Sequence, residues 1–531
     1  MKKIKAIVAF GCAILMLSGC KLKDVNDNAD MAQDDSSATQ VQETAGEVTL
    51  GVRPELYAQV NYTYEDAWSD GEYEEPYLIG HYDSFTLSSM TVEAYPAFAD
   101  TFKSVMNSRN DNYEALRKQD LEDSKRMRSE NENHTFVMES DLFLRRADQK
   151  VVSYVDQLTE YTAGAHGFTS YKGYNFDVQA GKEIQLEDVI TDEAAFKKDL
   201  ANALLAKYTS ENFIDLDKTL AEMTLKDFKW TLSSSGVTFY YAYDISAYAI
   251  GVMSVDLPYN SGFVNANYAP DANEGYIMGV PLYFSESERI DSVLEAEGIT
   301  FTPNYDPEAY DYSHIQSLTV DKDGDEVTIP ELYVFAVKAY LMHLADGKEF
   351  LMVMTTGESD WRSAYVISLN GKLEQVPSEN YGAGSTGTTQ DYYENVPSDP
   401  ASIALSSKFN LLCSFDGSRR YELTDNGTFN PIEEYYTAVI PKEWDLVSKV
   451  EITVPVVEVD GTETGETVTL PAKTSYRLIR TNGENDVDCT IPDGRIVRFH
   501  LEDSNGFGYI DDLEYNGVNC YDLFEMLWYA G

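Results

Sequence analysis

The sequence has 531 residues, enough for two or three domains with substantial cores, and 43% hydrophobic residues with 38 tyrosines exclude a disordered stalk. Lys and Arg number 40 against 90 Asp and Glu, a formal net charge of −50. A polyanion of this size excludes general electrostatic binding to nucleic acid or to anionic lipid headgroups. Its charge favours solubility and attracts cationic partners.

The first twenty residues have the layout of an export signal. Three lysines precede an uncharged apolar run, at 6–17, that is too short to span a bilayer. The ending Leu17, Ser18, Gly19, Cys20 resembles the lipobox of bacterial lipoproteins, which implies cleavage before Cys20 and attachment of lipid to its sulfur. An ordinary cleaved signal with a chance cysteine is the alternative. We expect a chain anchored by lipid to the outer, extracytoplasmic face of the cell membrane, with no later membrane span.

The rest of the chain divides by composition. Residues 20–50 are polar, which indicates a flexible tether because such a segment buries too little apolar surface to fold. The predicted divisions are a signal peptide at 1–19, the tether at 20–50, an α+β domain at 51–262, a connector at 263–300, a β-rich domain at 301–441 and a small C-terminal β module at 442–531. We therefore expect an α+β N-terminal domain with an antiparallel sheet and packed helices, followed by mainly antiparallel β modules.

Helical and strand patterns alternate in the first part of the chain. Pro96 suits the first turn of a helix, and apolar residues at helical spacing continue it into a charged run ending near residue 130. Residues 136–144 and 151–158 predict two strands joined by a tight turn. A second helix is predicted after Thr191, which we interpret as its N-cap.

The second half is predicted to be mostly β structure. Asp-Gly or Asn-Gly occurs once before residue 300 and ten times after it, and these pairs favour hairpin turns. Residues 333–344, 349–355 and 364–369 predict a meander of strands. A Pro, Ser and Gly-rich segment at 376–400 predicts a long exposed loop, and residues 521–528 predict a short terminal helix.

Three cysteines follow Cys20: Cys413, Cys489 and Cys520. They allow at most one disulfide, and proximity within one module favours Cys489 with Cys520. The core must therefore hold the fold without a disulfide framework.

Four stretches carry a family resemblance: Tyr161–Gly167, Tyr174–Asp177, Gly181–Asp188 and Phe239–Tyr259. Together they resemble the extracellular domain (DUF3298 with DUF4163) shared by the lysozyme-sensing anti-sigma factor RsiV and the non-catalytic part of a peptidoglycan deacetylase. The resemblance covers roughly residues 55–262 and implies binding of a protein or wall ligand. The usual Gly-Gly-Ala-His-Gly is here Ala-Gly-Ala-His-Gly. Neither anti-sigma activity nor deacetylation carries over, because the segments that perform them have no counterpart.

The candidate ligand-binding residues are His166, Asn175, Asp177 and Tyr248. The glycines around His166 predict a tight turn between strands, where His166 either caps neighbouring carbonyls or contacts a ligand. Asn175 and Asp177 alternate with aromatic residues, as on a half-buried strand. The tyrosines near Tyr248 either stack on sugar rings or belong to the core.

No common catalytic signature occurs in the sequence, and its six histidines show no metal-ligand spacing. With ninety acids, a chance carboxylate pair carries no weight. The acidic stretch Asp321–Asp325 resembles a calcium loop but lacks the Glu required at the twelfth position, so we interpret it as a hairpin turn. We assign no catalytic residue, metal ligand or cofactor.

Three functions remain open. The first is a membrane-anchored binding or sensing module for a cell-envelope ligand, such as lysozyme, another cationic protein or peptidoglycan. The second is a wall-associated, glycan-active enzyme with an unrecognised carboxylate site, and the third is a structural or assembly lipoprotein. The oligomeric state does not follow from the sequence.

Overall fold

The computed structural model describes residues 51–531 except 70–71, 130–133, 242–244, 247–250, 272–273, 283–293, 306–313, 358–361, 378–381, 384, 389–390, 441–443, 504–511 and 529–531. The predicted signal peptide and tether lie outside the described residues. In the part of the chain that the structure covers, no helix combines the length and the apolar character of a membrane span. The predicted fold class is confirmed, because a mixed sheet with helices comes first and antiparallel sheets follow.

The first sheet carries the long helix of the fold. The N-terminal elements that build this sheet and its helices are β1 (Leu56–Ser69), β2 (Glu72–Leu87), α1 (Ser89–Ala94), α2 (Pro96–Ser129), β3 (Phe136–Ala147), β4 (Val151–Tyr161), β5 (Phe168–Asp177) and β6 (Lys182–Glu183). Strands β2 and β3 pair in parallel because α1 and α2 cross over between them, and the other neighbours are antiparallel.

Helix α2 begins at Pro96, as predicted, where the missing N–H of proline costs no helical hydrogen bond. Its buried face includes Phe98 and Phe102, whose rings pack against Phe176 of the sheet with centroids 5.9 and 5.4 Å away. This aromatic contact fixes the helix across one face of the sheet, and the charged run then continues as helix to Ser129.

A smaller layer packs beside β4 and β5. It contains α3 (Leu186–Val189), α4 (Glu193–Lys207), α5 (Leu216–Glu222), β7 (Lys229–Leu232), β8 (Gly236–Tyr241) and β9 (Met253–Pro258), with 3-10 turns at Ser210–Asn212 and Ala266–Tyr268. The predicted N-cap of α4 is wrong by one residue. Asp192 caps the helix instead of Thr191, because its carboxylate accepts from the amides of Ala194 and Ala195 at 3.1 and 3.0 Å.

The central β region forms a second sheet in the order β11-β12-β13-β15-β16-β17-β18. Its strands are β10 (Tyr276–Val280), β11 (Leu294–Ala296), β12 (Ile299–Tyr305), β13 (Ile315–Lys322), β14 (Asp325–Ile329), β15 (Val334–His343), β16 (Glu349–Gly357), β17 (Arg362–Ser368) and β18 (Glu374–Val376). The predicted meander is confirmed. Asp321–Asp325 forms the predicted hairpin turn, with Asp323 and Gly324 at φ of 57° and 84°.

The C-terminal part forms a third sheet in the order β19-β22-β23-β25-β29-β30-β31-β27-β28. Its elements are β19 (Gly382–Ala383), β20 (Ser385–Thr388), β21 (Asp391–Val396), β22 (Ile403–Leu411), β23 (Cys413–Leu423), β24 (Phe429–Pro431), β25 (Tyr436–Val439), β26 (Leu446–Val447), β27 (Ile452–Val457), β28 (Glu463–Leu470), β29 (Ser475–Thr481), β30 (Asp486–Thr490), β31 (Ile496–Asp503), β32 (Leu513–Tyr515), β33 (Val518–Asn519) and α6 (Cys520–Leu523). Strands β20 and β21 are not part of this sheet but belong to the first one, in the order β20-β21-β1.

The predicted exposed loop at 376–400 is wrong. Strand β21 pairs with β1, and Asn395 and Val396 are buried there. At its edge, β1 has backbone N–H and C=O groups that need hydrogen-bond partners. The backbone of any extended segment supplies these partners, whatever its side chains. The first sheet thus contains strands from the predicted 51–262 and 301–441 domains, whose boundaries stay predictions.

Of two further expectations about the C-terminal part, the disulfide is wrong and the short helix is confirmed over fewer residues. Cys413, Cys489 and Cys520 are all free and buried in one apolar cluster, so Cys489 and Cys520 form no disulfide. The terminal helix ends at Leu523, because the amide of Glu525 donates to Val447 O at 2.8 Å and draws the chain into strand pairing.

Candidate functional site

The predicted His166 lies in the turn between β4 and β5. Its side chain is exposed, and Nδ1 lies 3.0 Å from Gly167 O. The turn is confirmed, but its left-handed residue is Ala163, at φ of 63°, and not one of the neighbouring glycines. Tyr248 and the lipobox residues lie outside the described residues, so their roles stay predictions.

The predicted Asn175 is buried and bridges two layers. Its Oδ1 accepts from Ser153 Oγ at 2.7 Å and from Leu232 N at 2.8 Å, while Nδ2 donates to Trp230 O at 3.2 Å. This amide therefore fastens β7 to β4 and β5. An alanine at Gly173, two residues earlier on β5, would overlap the same Trp230 carbonyl, which shows how closely the layers approach.

Asp177 closes the end of β5, where its carboxylate accepts from Ala180 N at 2.8 Å. Asn175 and Asp177 lie at one end of this strand and His166 lies beyond the other. About 23 Å of strand separates Phe168 from Asn175. The structure therefore does not bring the predicted ligand residues together, and their ligand role stays a prediction.

A cavity of about 160 Å³ lies between the first and second sheets. Strands β1, β2 and β3 line one side, β15 and β16 the other, and β21 contributes Glu394. Because side chains alternate along a strand, His81, Asp83 and Phe85 all point from β2 to this one face. A sheet interior normally buries apolar residues, so the charged side chains mark the cavity as a candidate site.

The histidine in this cavity is held by a carboxylate. His81 Nε2 lies 3.0 Å from Asp141 Oδ1. Burial lowers the pKa of His81, but Asp141, followed by Asp83 and Glu139, raises it to about 10. Burial raises the pKa of Asp141, and His81 and Lys338 outweigh it, so that this pKa lies below the usual value. The two groups form a closed ion pair at neutral pH.

The other charged side chains of the cavity are Arg362, Glu394, Lys338 and Asp83. Arg362 forms an ion pair with Glu394. Among the described residues, Lys338 Nζ has no ion-pair or hydrogen-bond partner, and Asp83 Oδ2 accepts from Leu142 N at 3.2 Å. Asp83 raises the pKa of Lys338 by more than burial lowers it. Lys338 is therefore a protonated donor and not an amine nucleophile.

The opposite face of β2 and β3 anchors the site against α2. Arg109 Nε lies 2.8 Å from Asp156 Oδ2, and a second nitrogen of this guanidinium donates to Asp83 O. Tyr113 OH donates to His81 O at 2.6 Å. The backbone that carries His81 and Asp83 is thus fixed from the helix side, which holds their side chains towards the cavity.

An aromatic face lies at the edge of the cavity. Tyr62 lines the cavity and also the surface groove between β1 and α2, and it is 69% exposed. Tyr64, on the same side of β1, is 48% exposed. Arg117 is shared by Glu65 at 2.8 Å and Glu114 at 3.0 Å, so one negative charge remains uncompensated in the groove. Tyr62 and Tyr64 point to the cavity side of β1, whereas Glu65 points to the α2 side, where Glu114 also lies. All four residues border the groove at this edge of the sheet, and we call this set the acidic aromatic face.

Sequence reasoning missed the cavity because its charged residues are up to 313 positions apart, from His81 to Glu394. A signal was present: His81 and Asp83 share one face of a strand, and Lys338 interrupts the apolar run of β15. No three His, Cys, Asp or Glu side chains group as a metal site within the ranges that the structure describes.

Comparisons with known proteins find similarity in solved structures. No family model matches the chain. No curated protein matches it either. A crystal structure of a DUF3298 family member from Bacteroides fragilis NCTC 9343 is 20% identical, with a TM-score of 0.32, and the match covers 40% of this chain and 94% of that one. A DUF3298 family protein from Pseudomonas aeruginosa PAO1 is 18% identical, with a TM-score of 0.25, covering 40% of this chain and 97% of that one.

Proposed function

We propose that this chain is an extracytoplasmic lipoprotein that binds a cationic protein of the cell envelope or its surroundings, lysozyme being the first candidate. The acidic aromatic face carries the proposal. Exposed tyrosines supply large, rigid contact area at small entropic cost, and the adjoining carboxylates attract a basic partner. The net charge of −50 extends that attraction over the whole molecule.

Binding is measured by titration calorimetry of residues 21–531 against lysozyme, at low and at high salt. We expect saturable heat that weakens as salt screens the attraction. A second cationic protein of equal net charge serves as the control. No heat, or equal heat from both proteins, contradicts the proposal and directs the search to peptidoglycan turnover or to membrane partners.

Variants locate the interface. Tyr62→Ala and Tyr64→Ala each remove a central aromatic contact, and we expect each to weaken binding by roughly tenfold or more, as interface hot spots do. Tyr333→Ala is the matched control, because Tyr333 is 54% exposed but lies outside this face. A loss of affinity that is equal in all three variants would place the interface elsewhere.

The proposed anchor is tested separately. Cys20→Ala removes the sulfur that the lipobox resemblance assigns to lipid attachment. We expect the full-length protein to incorporate labelled fatty acid and to sediment with membranes, and the variant to do neither. Continued lipid labelling of the variant would contradict the assignment of Cys20.

A further inference from the structure

The cavity between the first two sheets contains two unmatched charges of opposite sign. His81 is paired with Asp141, and Arg362 is paired with Glu394. Asp83 is the group that raises the pKa of Lys338 most, and Lys338 is the charge that lowers the pKa of Asp83 most. The two side chains nevertheless do not approach within ion-pair distance of each other. The cavity wall therefore carries Lys338 and Asp83 without an ion pair between them; burial raises the pKa of Asp83, although Lys338 lowers it.

An unpaired ammonium in such a place needs acceptors. Lysine has three N–H donors and no acceptor, and a charge away from bulk water is tolerated where its hydrogen bonds are satisfied. The cavity volume of about 160 Å³ is roughly ten times what one water molecule requires. Several water molecules or one small molecule fit beside Lys338.

We propose that the cavity binds a small zwitterionic α-amino acid, with its carboxylate at Lys338 and its ammonium at Asp83. The two unmatched charges are complementary to the two ends of such a ligand, and no other charge in the cavity is left without a partner among the described residues. Apolar side chains line the rest of the wall, among them Val60, Phe85 and Leu282, and they suit a short aliphatic side chain.

The acidic aromatic face lies next to this site, because Tyr62 belongs to both. The exposure of Tyr62 indicates where the cavity reaches the surface of the described structure. The amino-acid site does not depend on the protein partner proposed above, and its failure leaves the lysozyme titration unaffected.

The test uses thermal unfolding and calorimetry of residues 21–531. Glycine and both enantiomers of alanine serve as zwitterions, acetate carries the carboxylate alone, and ethylamine carries the ammonium alone. We expect at least one zwitterion to raise the Tm saturably and to bind at least tenfold more tightly than acetate or ethylamine. Stabilisation by none of the zwitterions at millimolar concentration, or equal stabilisation by acetate, would overturn the proposal and leave a hydrated ion-pair cluster.

Two variants assign the contacts. Lys338→Met and Asp83→Asn each remove one complementary charge, and we expect at least tenfold weaker binding of the best zwitterion. Lys348→Met is the control, because Lys348 lies at the turn after β15 and pairs with Asp425 on the outside. Unchanged affinity in a folded Lys338→Met or Asp83→Asn protein contradicts the proposal. If neither variant folds, the panel of ligands on the unmodified protein decides by itself.

Discussion

Asn175→Ala distinguishes a structural role from a ligand-binding role for a residue that the sequence marks as a candidate contact. The substitution removes three hydrogen bonds, to Ser153 Oγ, Leu232 N and Trp230 O. At about 1 kcal/mol net for each, the expected loss is about 3 kcal/mol. Ser153 Oγ keeps its own bond to Leu232 N at 3.2 Å, so the loss is not expected to be larger.

The assay is hydrogen exchange of backbone amides, followed by mass spectrometry of the peptide that contains β7. If β7 opens locally, a loss of 3 kcal/mol corresponds to roughly hundredfold faster exchange there. Asn430→Ala is the matched control, because Asn430 is exposed and bonds one side chain, Glu422. We expect the control to leave exchange at β7 unchanged and stability within about 0.5 kcal/mol.

Unchanged exchange at β7 in Asn175→Ala would show that the amide does not fasten the smaller layer to the sheet. If affinity for the partner fell at the same time, Asn175 would return to the ligand role that its sequence context predicted.

Ala163 has a left-handed backbone, which glycine adopts without strain, so Ala163→Gly should raise the free energy of unfolding by about 0.5–1 kcal/mol. Ala165→Gly in the same turn should lower it. If chemical unfolding shows that both variants change stability in the same direction, the assigned backbone is contradicted. Because folding raises the pKa of His81 from 6.5 to about 10, its contribution to stability is full below pH 6.5 and is lost as pH rises through about 10. The difference in Tm between the unmodified protein and His81→Gln should decline over this pH range. A difference in Tm that does not change with pH would contradict the prediction. The thiols of Cys413, Cys489 and Cys520 should react with a thiol reagent at pH 8 only after unfolding, since burial raises the pKa of Cys413 and Cys520 to about 12, and a count below three in denaturant would reveal a disulfide.

Local patterns in the sequence determined much of the secondary structure. Pro96 and the apolar spacing after it placed helix α2, and Asp-Gly pairs marked hairpins such as those at Gly461 and Gly494. These features were predictable because each depends on a few neighbouring residues, namely the missing N–H of proline or the left-handed backbone that glycine tolerates.

The position of strand β21 could not be determined in this way. Three of its six residues, Asp391, Glu394 and Asn395, are polar, and the strand follows a Gly- and Ser-rich stretch, so the local pattern is interpreted as a loop. Pairing with β1 is a contact across more than 300 residues, and it depends on backbone hydrogen bonds that every residue except proline offers. Tyr392, Tyr393 and Val396 favour a strand, but composition does not show that this strand pairs with β1.

The cavity shows the same division between local pattern and tertiary contact. The sequence by itself placed Lys338 in a predicted strand but predicted no element for His81 and Asp83, and it determined the charge that favours a cationic partner. Only the tertiary structure decided that two sheets bring these groups face to face, that Asp141 pairs with His81, and that Lys338 keeps an open space beside it. The physical reason is that the energy of a charge depends on its neighbours within a few ångströms, and those neighbours come from distant parts of the chain.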